Sequence, residues 1–581
     1  MRYLLSRGRF LSTAPASWFS RLQNLCNLCN LWIMLLKTLV CLFLSASALA
    51  WASRPADSSS SCIYSSLWGV SGEKWDPAGH LPDFSYAGYH AGEAIIPNQP
   101  AKWNFKRDFQ AKGDGRTDDS AALLNAIQSI NSGVLFIPEG TYVIAQRIDI
   151  SKGNLILRGA APGKTILLFP NSLTDLFGNK AKGTEQSQWA FRPGLVNITG
   201  KDPINAETRL ATVTAPAKRG DRTLQISTVG APLRGRHSSQ QTSNNIPITK
   251  GNWIRLVESD PQKGSFAAGS LIHYLYGELM PPGPDLIGTA HVVRFLSRVK
   301  SASGNTIELE RPLPYDVRPE WTPEIHRFVP TVQEFGVEHL SIHFPWSPYP
   351  GHFKEKGYNG LFFQDVSQCW VNDVEIQNAD FGIDLSSTNF CTVSNVTLTT
   401  SASRAVGDEA REANGHHGID VGRGTENLVT HFDVQTKFVH DISVEWYALH
   451  TVFANGRGVD LNMDHHREAN YASLFSNLDC GAGTRPFNSG GSGDRGAHSG
   501  AYSTFWNVHA TGANGVSKSS RPLQLPPRDF GPLLNFIGLE LLETSPKDQA
   551  SPYQWLIEPL AGPGVCPIEL QQAMRVRRLH K

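Results

Sequence analysis

FVHDISVEWYALHTVFANGRGVDLNMDHHR, residues 438–467, joins a repeated pattern to many ionisable side chains. Its first part, FVHDISV, fits a hexad that reads apolar, any, polar, aliphatic, any, apolar. Six copies of this hexad occur in the second half of the chain, and 22 to 46 residues separate their aliphatic centres. These centres are Leu340, Val374, Val396, Ile442, Leu478 and Val508.

The repeated hexad predicts short strands, since apolar residues alternate within it and Asn, Asp and Gly lie between the copies. Strands that recur at such spacings are typical of coils stacked edge to edge in a solenoid. We therefore predict an all-β fold, a right-handed parallel β-helix in which the six centres lie in one sheet and point into a common core. A β-sandwich whose strands resemble one another by chance is the alternative.

A second motif, Gly-x-Asp followed by an aliphatic residue, occurs at Gly382, Gly418 and Gly458. The motif predicts that each coil contributes a second strand, and that these strands form a sheet next to the one that contains the hexads. Equivalent residues of parallel coils lie roughly 4.8 Å apart. The motif therefore predicts a column of carboxylates made of Asp384, Asp420 and Asp460.

The composition of the 581-residue chain, with 40% hydrophobic and 18% charged residues, is that of a folded, turn-rich protein. A net charge of +1 gives no reason to expect a nucleic-acid partner. Residues 1–52 differ from the rest, since arginines precede an apolar run that ends in small residues. This pattern predicts a secretory signal, an extracellular protein and no membrane span once the leader is removed. An uncleaved membrane anchor is the alternative.

Residues 120–130 are predicted to form an amphipathic helix that can close the open end of a solenoid, with Thr117 and Asp118 as its capping residues. With this helix as a cap, the chain after the leader divides into five predicted parts. The parts are a wrapping segment (53–104), the first coils with this cap (105–210), a β-rich insertion (211–320), the main stack (321–546) and a basic C-terminal tail (547–581).

Cys369 and Cys391 each precede a hexad centre by five residues, which predicts that they stack on neighbouring coils. The spacing is compatible with either a disulfide or a buried ladder of free thiols.

The segment AKGDGRTDDSAALLNAI, residues 111–127, followed by VLFIPEGTYVI and LILRGAAPGKTIL, resembles the amino-terminal coil of the pectate-lyase-like right-handed parallel β-helix superfamily. The resemblance covers residues 105–168 and implies the β-helix fold. It also implies a carbohydrate-active protein, but that superfamily contains several chemistries and its first coil carries none of them.

Four polar clusters in the main stack predict one functional groove: residues 415–420, 453–460, 462–471 and 492–502. They supply side chains that can transfer protons and bind anions. The convergent set is expected to be His416, His417, Asp420, Arg457, Asp460, Asp464, His465 and His466.

The favoured chemistry is β-elimination on a uronic-acid polysaccharide, which needs a cation for the sugar carboxylate, a base for the C5 proton and an acid for the leaving oxygen. Arg457 suits the first role and His417 or His465 the second, while Asp420 and Asp460 position them. Tyr471 or Tyr502 would supply the acid. The residues expected to bind the acidic polysaccharide are His416, His466, Arg467, Asp464, Tyr471, Arg495 and His498.

Two alternatives remain open from the sequence. A hydrolase would use two carboxyl groups, such as Asp420 with the adjacent rung or Asp384 with Asp460. The stretches NADFGID (378–384) and GHHGID (415–420) resemble polygalacturonase signatures, although the Asp-Asp pair and the Arg-x-Lys of those enzymes are missing. A non-catalytic glycan-binding solenoid is the other alternative.

No cofactor is required by either reaction. A divalent cation such as Ca²⁺, held by Asp420, Asp460 and Asp464, is the metal hypothesis that the sequence allows.

Overall fold

The computed structural model describes residues 62–180, 186–227, 247–260, 269–279, 293–407, 412–512, 521–542, 553–559 and 564–580. The predicted signal at 1–52 lies outside these residues. Within the described part, no helix is long and apolar enough to cross a membrane.

Most strands belong to parallel sheets that wind coil upon coil, so the predicted parallel β-helix is confirmed. We call the larger of these the long sheet. Val374, for example, pairs in parallel with Val396 on the next coil. The strands of the long sheet are Ala101–Asn104, Asp114–Asp118, Gly133–Phe136, Gly140–Val143, Leu155–Arg158, Thr165–Leu168, Gly336–His343, Trp370–Gln377, Thr392–Thr399, Leu428–Thr430, Asp433–Val434, Val452–Ala454, Arg457–Gly458, Leu474–Asp479, Thr504–His509, Asn535–Ile537 and Leu556–Glu558.

The polar residue before a hexad centre forms a corner in the long sheet. It adopts a positive φ, which short polar side chains tolerate better than branched ones. Two further coils that the hexad search missed have the same corner. The corner residues, with φ between 51° and 57°, are His339, Asp373, Asn395, His431, Asn455, Asn477 and Asn507.

A second parallel sheet, which we call the site sheet, includes one hexad that was predicted for the long sheet. Ile442 pairs with Ile419 here, so only five of the six centres lie in the long sheet. Asp441 is not a corner residue, since its carboxylate accepts hydrogen bonds from the amides of Phe438 (2.8 Å) and Asn462 (2.9 Å). The strands of the site sheet are Ile148–Ile150, Val196–Thr199, Asn359–Gln364, Phe381–Ser386, Gly415–Gly422, Phe438–Glu445 and Met463–His465.

The predicted carboxylate column is partly wrong. Asp384 does pair with Asp420, but Gly458 pairs with Val434 in the long sheet, which removes Asp460 from the column. Beyond Asp420 the column continues through Ser443 to Asp464.

The interior is apolar along its length and contains a ladder of phenylalanines in the later coils. Phe453, Phe475, Phe505 and Phe536 stack with ring centroids 5.1 to 5.4 Å apart and interplanar angles of 9° to 16°. Complete burial of one such side chain stabilises the fold by about 1.5–3 kcal/mol. Cys369 and Cys391 are buried free thiols that precede paired residues of neighbouring coils, so they form a thiol ladder and no disulfide. Cys480 is a further buried free thiol.

The predicted cap is the helix Ser120–Ser129, which buries Leu123, Ala126 and Ile127 against the core. Its N-cap is Asp119, one or two residues after the predicted capping residues. The remaining helices are Phe105–Phe109, Leu173–Phe177, Leu271–Leu275 and Leu570–Leu579, with 3₁₀ turns at Tyr89–Gly92, Pro319–Trp321 and Gly493–Arg495.

An antiparallel sheet of six strands interrupts the coils and has its own apolar core. Tyr471, at a turn of the main stack, packs into that core. The hydroxyl of Tyr276 accepts a 3.0 Å hydrogen bond from the amide of Ala469, which ties the insertion to the same turn. In spatial order the strands are Arg209–Thr212, Glu324–Arg327, Trp253–Glu258, Val293–Ser303, Thr306–Leu309 and Thr223–Gln225.

The two ends of the described chain meet. A disulfide joins Cys62 to Cys566, and the strand Ile63–Tyr64 pairs with Val565–Cys566. Arg578 in the last helix donates hydrogen bonds to Glu93 and to the carbonyl of Ser85. The terminal arginines were expected to form a solvated basic tail, but they dock on the wrapping segment.

Candidate functional site

The outer face of the site sheet carries the polar side chains that sequence analysis singled out. Because side chains alternate along a strand, Ile419 and Val421 point into the core while Asp420 points outward. Irregular segments that precede two other strands of the sheet fold over this face and contribute Arg192 and His352.

Five histidines lie together on this face, and we call them the histidine cluster: His352, His416, His417, His440 and His466. Ring centroids are 4.3 Å apart for His416 and His417, 4.6 Å for His417 and His440, and 4.9 Å for His440 and His466. His352 reaches the cluster from its loop, 4.6 Å from the ring of His416.

Asp464 lies at the centre of the cluster and is completely buried. One carboxylate oxygen accepts a hydrogen bond from His466 Nδ1 (2.8 Å) and lies 3.0 Å from His440 Nδ1. The other oxygen accepts the amide of Gly490 at 2.7 Å. Burial favours the neutral carboxyl, but His440 and His466 outweigh it and lower the pKa of Asp464 well below its ordinary value. Burial likewise opposes the charge on His466, yet Asp464 raises the pKa of that imidazole.

His416 and His417 are buried and differ in their partners. His416 Nδ1 donates to the carbonyl of Ala190 at 2.8 Å, and its Nε2 lies 3.0 Å from His352 Nε2. His417 stacks on Phe381, and its Nε2 has no hydrogen-bond partner among the described residues. Burial, reinforced by the neighbouring imidazoles, lowers the pKa of both His416 and His417 well below the ordinary value.

Three acidic side chains, Asp384, Asp420 and Glu445, lie beside the cluster and form what we call the carboxyl row. Arg192 donates two hydrogen bonds to Asp384, one of them 3.0 Å long, and lies 3.9 Å from Glu445. Asp420 keeps one buried carboxyl oxygen without a partner in the described structure. Burial, together with the Glu445 and Asp384 carboxylates, raises the pKa of Asp420 well above its ordinary value. Asp420 therefore lies in a buried position where its acidic neighbours favour its protonated form, whereas Asp384 is bound by an arginine.

Two arginines and one tryptophan lie next to the carboxyl row and form what we call the rim. The guanidinium groups of Arg423 and Arg495 lie 4.1 and 5.0 Å from the ring of Trp446. Arg495 also pairs with Glu468 at 3.1 Å. Burial nevertheless raises the pKa of Glu468 to about 8.

His465, expected as a catalytic base, points away from this site. It follows Asp464 in a strand, so it faces the interior, where its ring packs against Phe475, Phe505 and Phe530. Burial lowers the pKa of His465 to about 4. The structure thus gives His465 a place in the core.

Arg457, Asp460 and Tyr471 also lie away from the cluster. Arg457 is on the long sheet, 61% exposed, and pairs with Asp433. Asp460 accepts hydrogen bonds from the amide and hydroxyl of Thr484. The buried Tyr471 donates its hydroxyl hydrogen bond to the carbonyl of Pro314.

The structure does not bring Asp420, Asp460 and Asp464 together around one cation. Asp420 and Asp464 are separated by the rung of Ser443, a distance of roughly 9.6 Å along the stack. Calcium–oxygen bonds of about 2.3–2.6 Å cannot bridge that separation.

The predicted binding residues Arg467 and His498 help to build a loop. Arg467 donates to the carbonyls of Gly491 (3.1 Å) and Gly496, and its third nitrogen contacts His498 at 3.0 Å. His498 stacks on Phe530 at the edge of an open groove of about 970 Å³. Tyr502, proposed as an acid, lies beneath the guanidinium of Arg219, 3.9 Å from its ring centroid.

Several site residues were missed. Glu445 could have been found, since it alternates with the apolar Ile442 and Val444 of the strand Phe438–Glu445. His440 has the same parity as those apolar residues, so alternation alone would have placed it in the core. His352 and Arg192 lie in irregular segments with no periodicity, so no sequence signal marks them.

Comparisons with known proteins find a family match in the first part of the chain. Residues 104–202 match the family described as rhamnogalacturonase A/epimerase, pectate lyase-like, which confirms the resemblance to the pectate-lyase-like superfamily. A protein of Azotobacter vinelandii named alginate lyase 7 is 33% identical over 90 residues, which are 14% of this chain and 10% of that protein.

Two solved structures are similar at low identity. The tailspike protein of Pseudomonas phage LKA1 is 15% identical with a TM-score of 0.44, and the alignment covers 71% of this chain and 60% of that one. An exopolygalacturonase from Thermotoga maritima is 10% identical with a TM-score of 0.30, over 76% and 81% of the two chains. The chain therefore spans a tenth of the curated relative and less than two thirds of the tailspike.

Proposed function

We propose that this chain is a secreted enzyme that cleaves a uronic-acid polysaccharide by β-elimination. One observation carries the proposal: the histidine cluster and the carboxyl row lie side by side on the outer face of a parallel β-helix.

The residues present meet the three needs of the reaction. His417 has a ring nitrogen without a partner in the described structure, and it serves as the base for the C5 proton. Asp420, with its unpartnered oxygen, supplies a proton to the leaving oxygen. Arg192, which is 32% exposed, and the rim arginines Arg423 and Arg495 bind the sugar carboxylate.

Two aromatic side chains lie over the entrance to the cluster. Phe191 and Phe353 are 40% and 37% exposed, and their rings lie 5.2 and 5.6 Å from that of His416. Because His417 is buried beneath the same loops, substrate entry requires these two side chains to move aside.

The comparisons support a polysaccharide substrate without deciding the chemistry. The matched family description names both a rhamnogalacturonase and a pectate lyase-like group, and the locally similar relative is named as an alginate lyase.

A hydrolase remains the second candidate because Asp384 and Asp420 are direct neighbours on adjacent strands. A rung spacing of roughly 4.8 Å is close to the roughly 5–5.5 Å between the carboxyl groups of retaining glycosidases. Asp384 is already bound by Arg192, however, which makes it a weaker nucleophile.

The test uses the purified protein and a panel of polyuronates, with neutral polysaccharides as controls. A lyase generates reducing ends and an unsaturated sugar that absorbs ultraviolet light. Reducing ends without that absorbance would show a hydrolase. Binding without either product would show a glycan-binding solenoid and overturn the proposal.

A further inference from the structure

We propose that His352, His416 and His440 bind one zinc-like transition-metal ion and leave one coordination position open. One ring nitrogen of each histidine lies within 4.8 Å of those of the other two. The Nε2 atoms of His352 and His416 are 3.0 Å apart. This site is inferred from the side chains alone and stands whether or not the chain cleaves a polysaccharide.

The distances agree with a common metal ion. Zinc–nitrogen bonds of about 2.0–2.1 Å in a tetrahedral site place two ligand nitrogens roughly 3.3 Å apart. The observed 3.0 Å between His352 and His416 requires only a small adjustment.

The second nitrogen is hydrogen-bonded in His416 and lies near a carboxylate in His440. A carbonyl oxygen only accepts, so His416 Nδ1 must carry the proton in its 2.8 Å bond to Ala190, which leaves a lone pair on Nε2. His440 Nδ1 lies 3.0 Å from the Asp464 carboxylate, which favours the proton on that nitrogen. Histidine ligands of metals are oriented in this manner by a carbonyl or a carboxylate.

Burial gives a second reason for a ligand. His416 and His440 are 0% and 5% exposed, and neither ring nitrogen of His440 has a hydrogen-bond partner among the described residues. A buried polar atom without a partner costs free energy, and a metal ion would remove that cost.

The donor set decides which class of ion is bound. Three imidazoles suit zinc and its neighbours in the first transition series, whereas Ca²⁺ and Mg²⁺ require oxygen ligands. Three protein ligands are also the number found in zinc sites that keep one position for water or substrate.

The adjoining group of His440, Asp464 and His466 also brings ligand atoms within 4.8 Å of one another. Asp464, however, already accepts hydrogen bonds from Gly490, Ser443 and His466. We therefore assign Asp464 to the support of His440, not to the ion.

The experiment titrates chelator-treated full-length protein with Zn²⁺ alone in a calorimeter. One ion is expected to bind, and Co²⁺ in its place is expected to show the visible absorbance of a four-coordinate site. His352→Ala should weaken binding by at least about tenfold, and its loop position makes misfolding less of a concern. His466→Ala should retain one ion, and so should the control His339→Ala, since His339 lies on the long sheet.

Three results would overturn the inference. They are no binding by the parent protein, unchanged binding by His352→Ala, and binding that is lost in His466→Ala but kept in His352→Ala. Since binding is read directly, failure of the metal site is distinguishable from failure of the lyase assay.

Discussion

Asp384 and Asp420 are paired on adjacent strands, yet only Asp384 has an arginine bound to its carboxylate. Burial and its acidic neighbours raise the pKa of Asp420 instead. Two identical side chains in one column thus have different electrostatic surroundings.

Asp420→Asn should leave stability nearly unchanged near neutral pH, because burial and the neighbouring carboxylates favour the neutral form of Asp420, which an amide of the same shape replaces. If Asp420 protonates the leaving oxygen, the rate of cleavage should fall by about a hundredfold or more. Urea unfolding and the ultraviolet assay measure the two effects. A variant with parental activity would remove Asp420 from the mechanism.

His417→Ala should lower the cleavage rate by about a hundredfold or more, as expected for loss of a general base. The matched control is His465→Ala, which should lower the free energy of unfolding and not the cleavage rate of the folded protein. His465 is packed among phenylalanines, so its truncation leaves a cavity and should cost on the order of 2–4 kcal/mol. Rates measured below the unfolding transition of each variant separate the two roles, and equal rate losses would contradict the assignment.

Arg192→Ala should raise KM for a polyuronate by about tenfold or more, since a bound carboxylate would lose a charge-assisted contact. Arg457→Ala, on the exposed long sheet, should change KM less than about twofold. Initial rates over a range of substrate concentrations test both. The reverse order of effects would place the polymer on the long sheet.

Glu468→Gln should change how stability depends on pH. Burial raises the pKa of Glu468 from 4.5 to about 8, so between those values the folded state holds a proton that the unfolded state has released. The parental free energy of unfolding should therefore fall by up to a few kcal/mol as the pH rises through this window. The contribution of Glu468 to stability is smallest above its folded pKa. The variant should lose less stability than the parent between about pH 5 and about pH 8.5 in urea unfolding. Identical losses would show that Glu468 keeps an ordinary pKa.

Cys62→Ser should lower the free energy of unfolding by about 2–5 kcal/mol, because it opens a very long covalent loop. Mild reduction of the parent should give the same loss. Cys369, Cys391 and Cys480 are buried, so they should react with a thiol reagent only on unfolding. Early reaction of these thiols would contradict the ladder.

The fold could be predicted from sequence because each coil repeats both the alternation and a polar corner residue. The prediction that Ile442 lies in the long sheet was wrong, because apolar and polar residues alternate in the same way along the strands of both sheets. What differs is the residue before the centre: Asn395, for example, turns the chain, whereas Asp441 binds backbone amides within the site sheet.

The site was harder to predict than the fold. His417 and Asp464 lie in the cluster, but three consecutive residues of a strand cannot all face one way, and this fact puts His465 in the core. Arg192 and His352 come from irregular segments, whose path depends on the packing of the whole stack. Their contribution is visible only in three dimensions.

The bond between Cys62 and Cys566 has a mechanical consequence. A solenoid normally peels open from its terminal coils, where a coil has only one neighbour. With Cys62 and Cys566 joined, the chain between them forms one covalent loop, and a pull applied outside these two cysteines is carried by one covalent bond. The coils between the two cysteines bear no load until the disulfide is reduced. The protein should therefore resist extension under oxidising conditions and lengthen coil by coil after reduction.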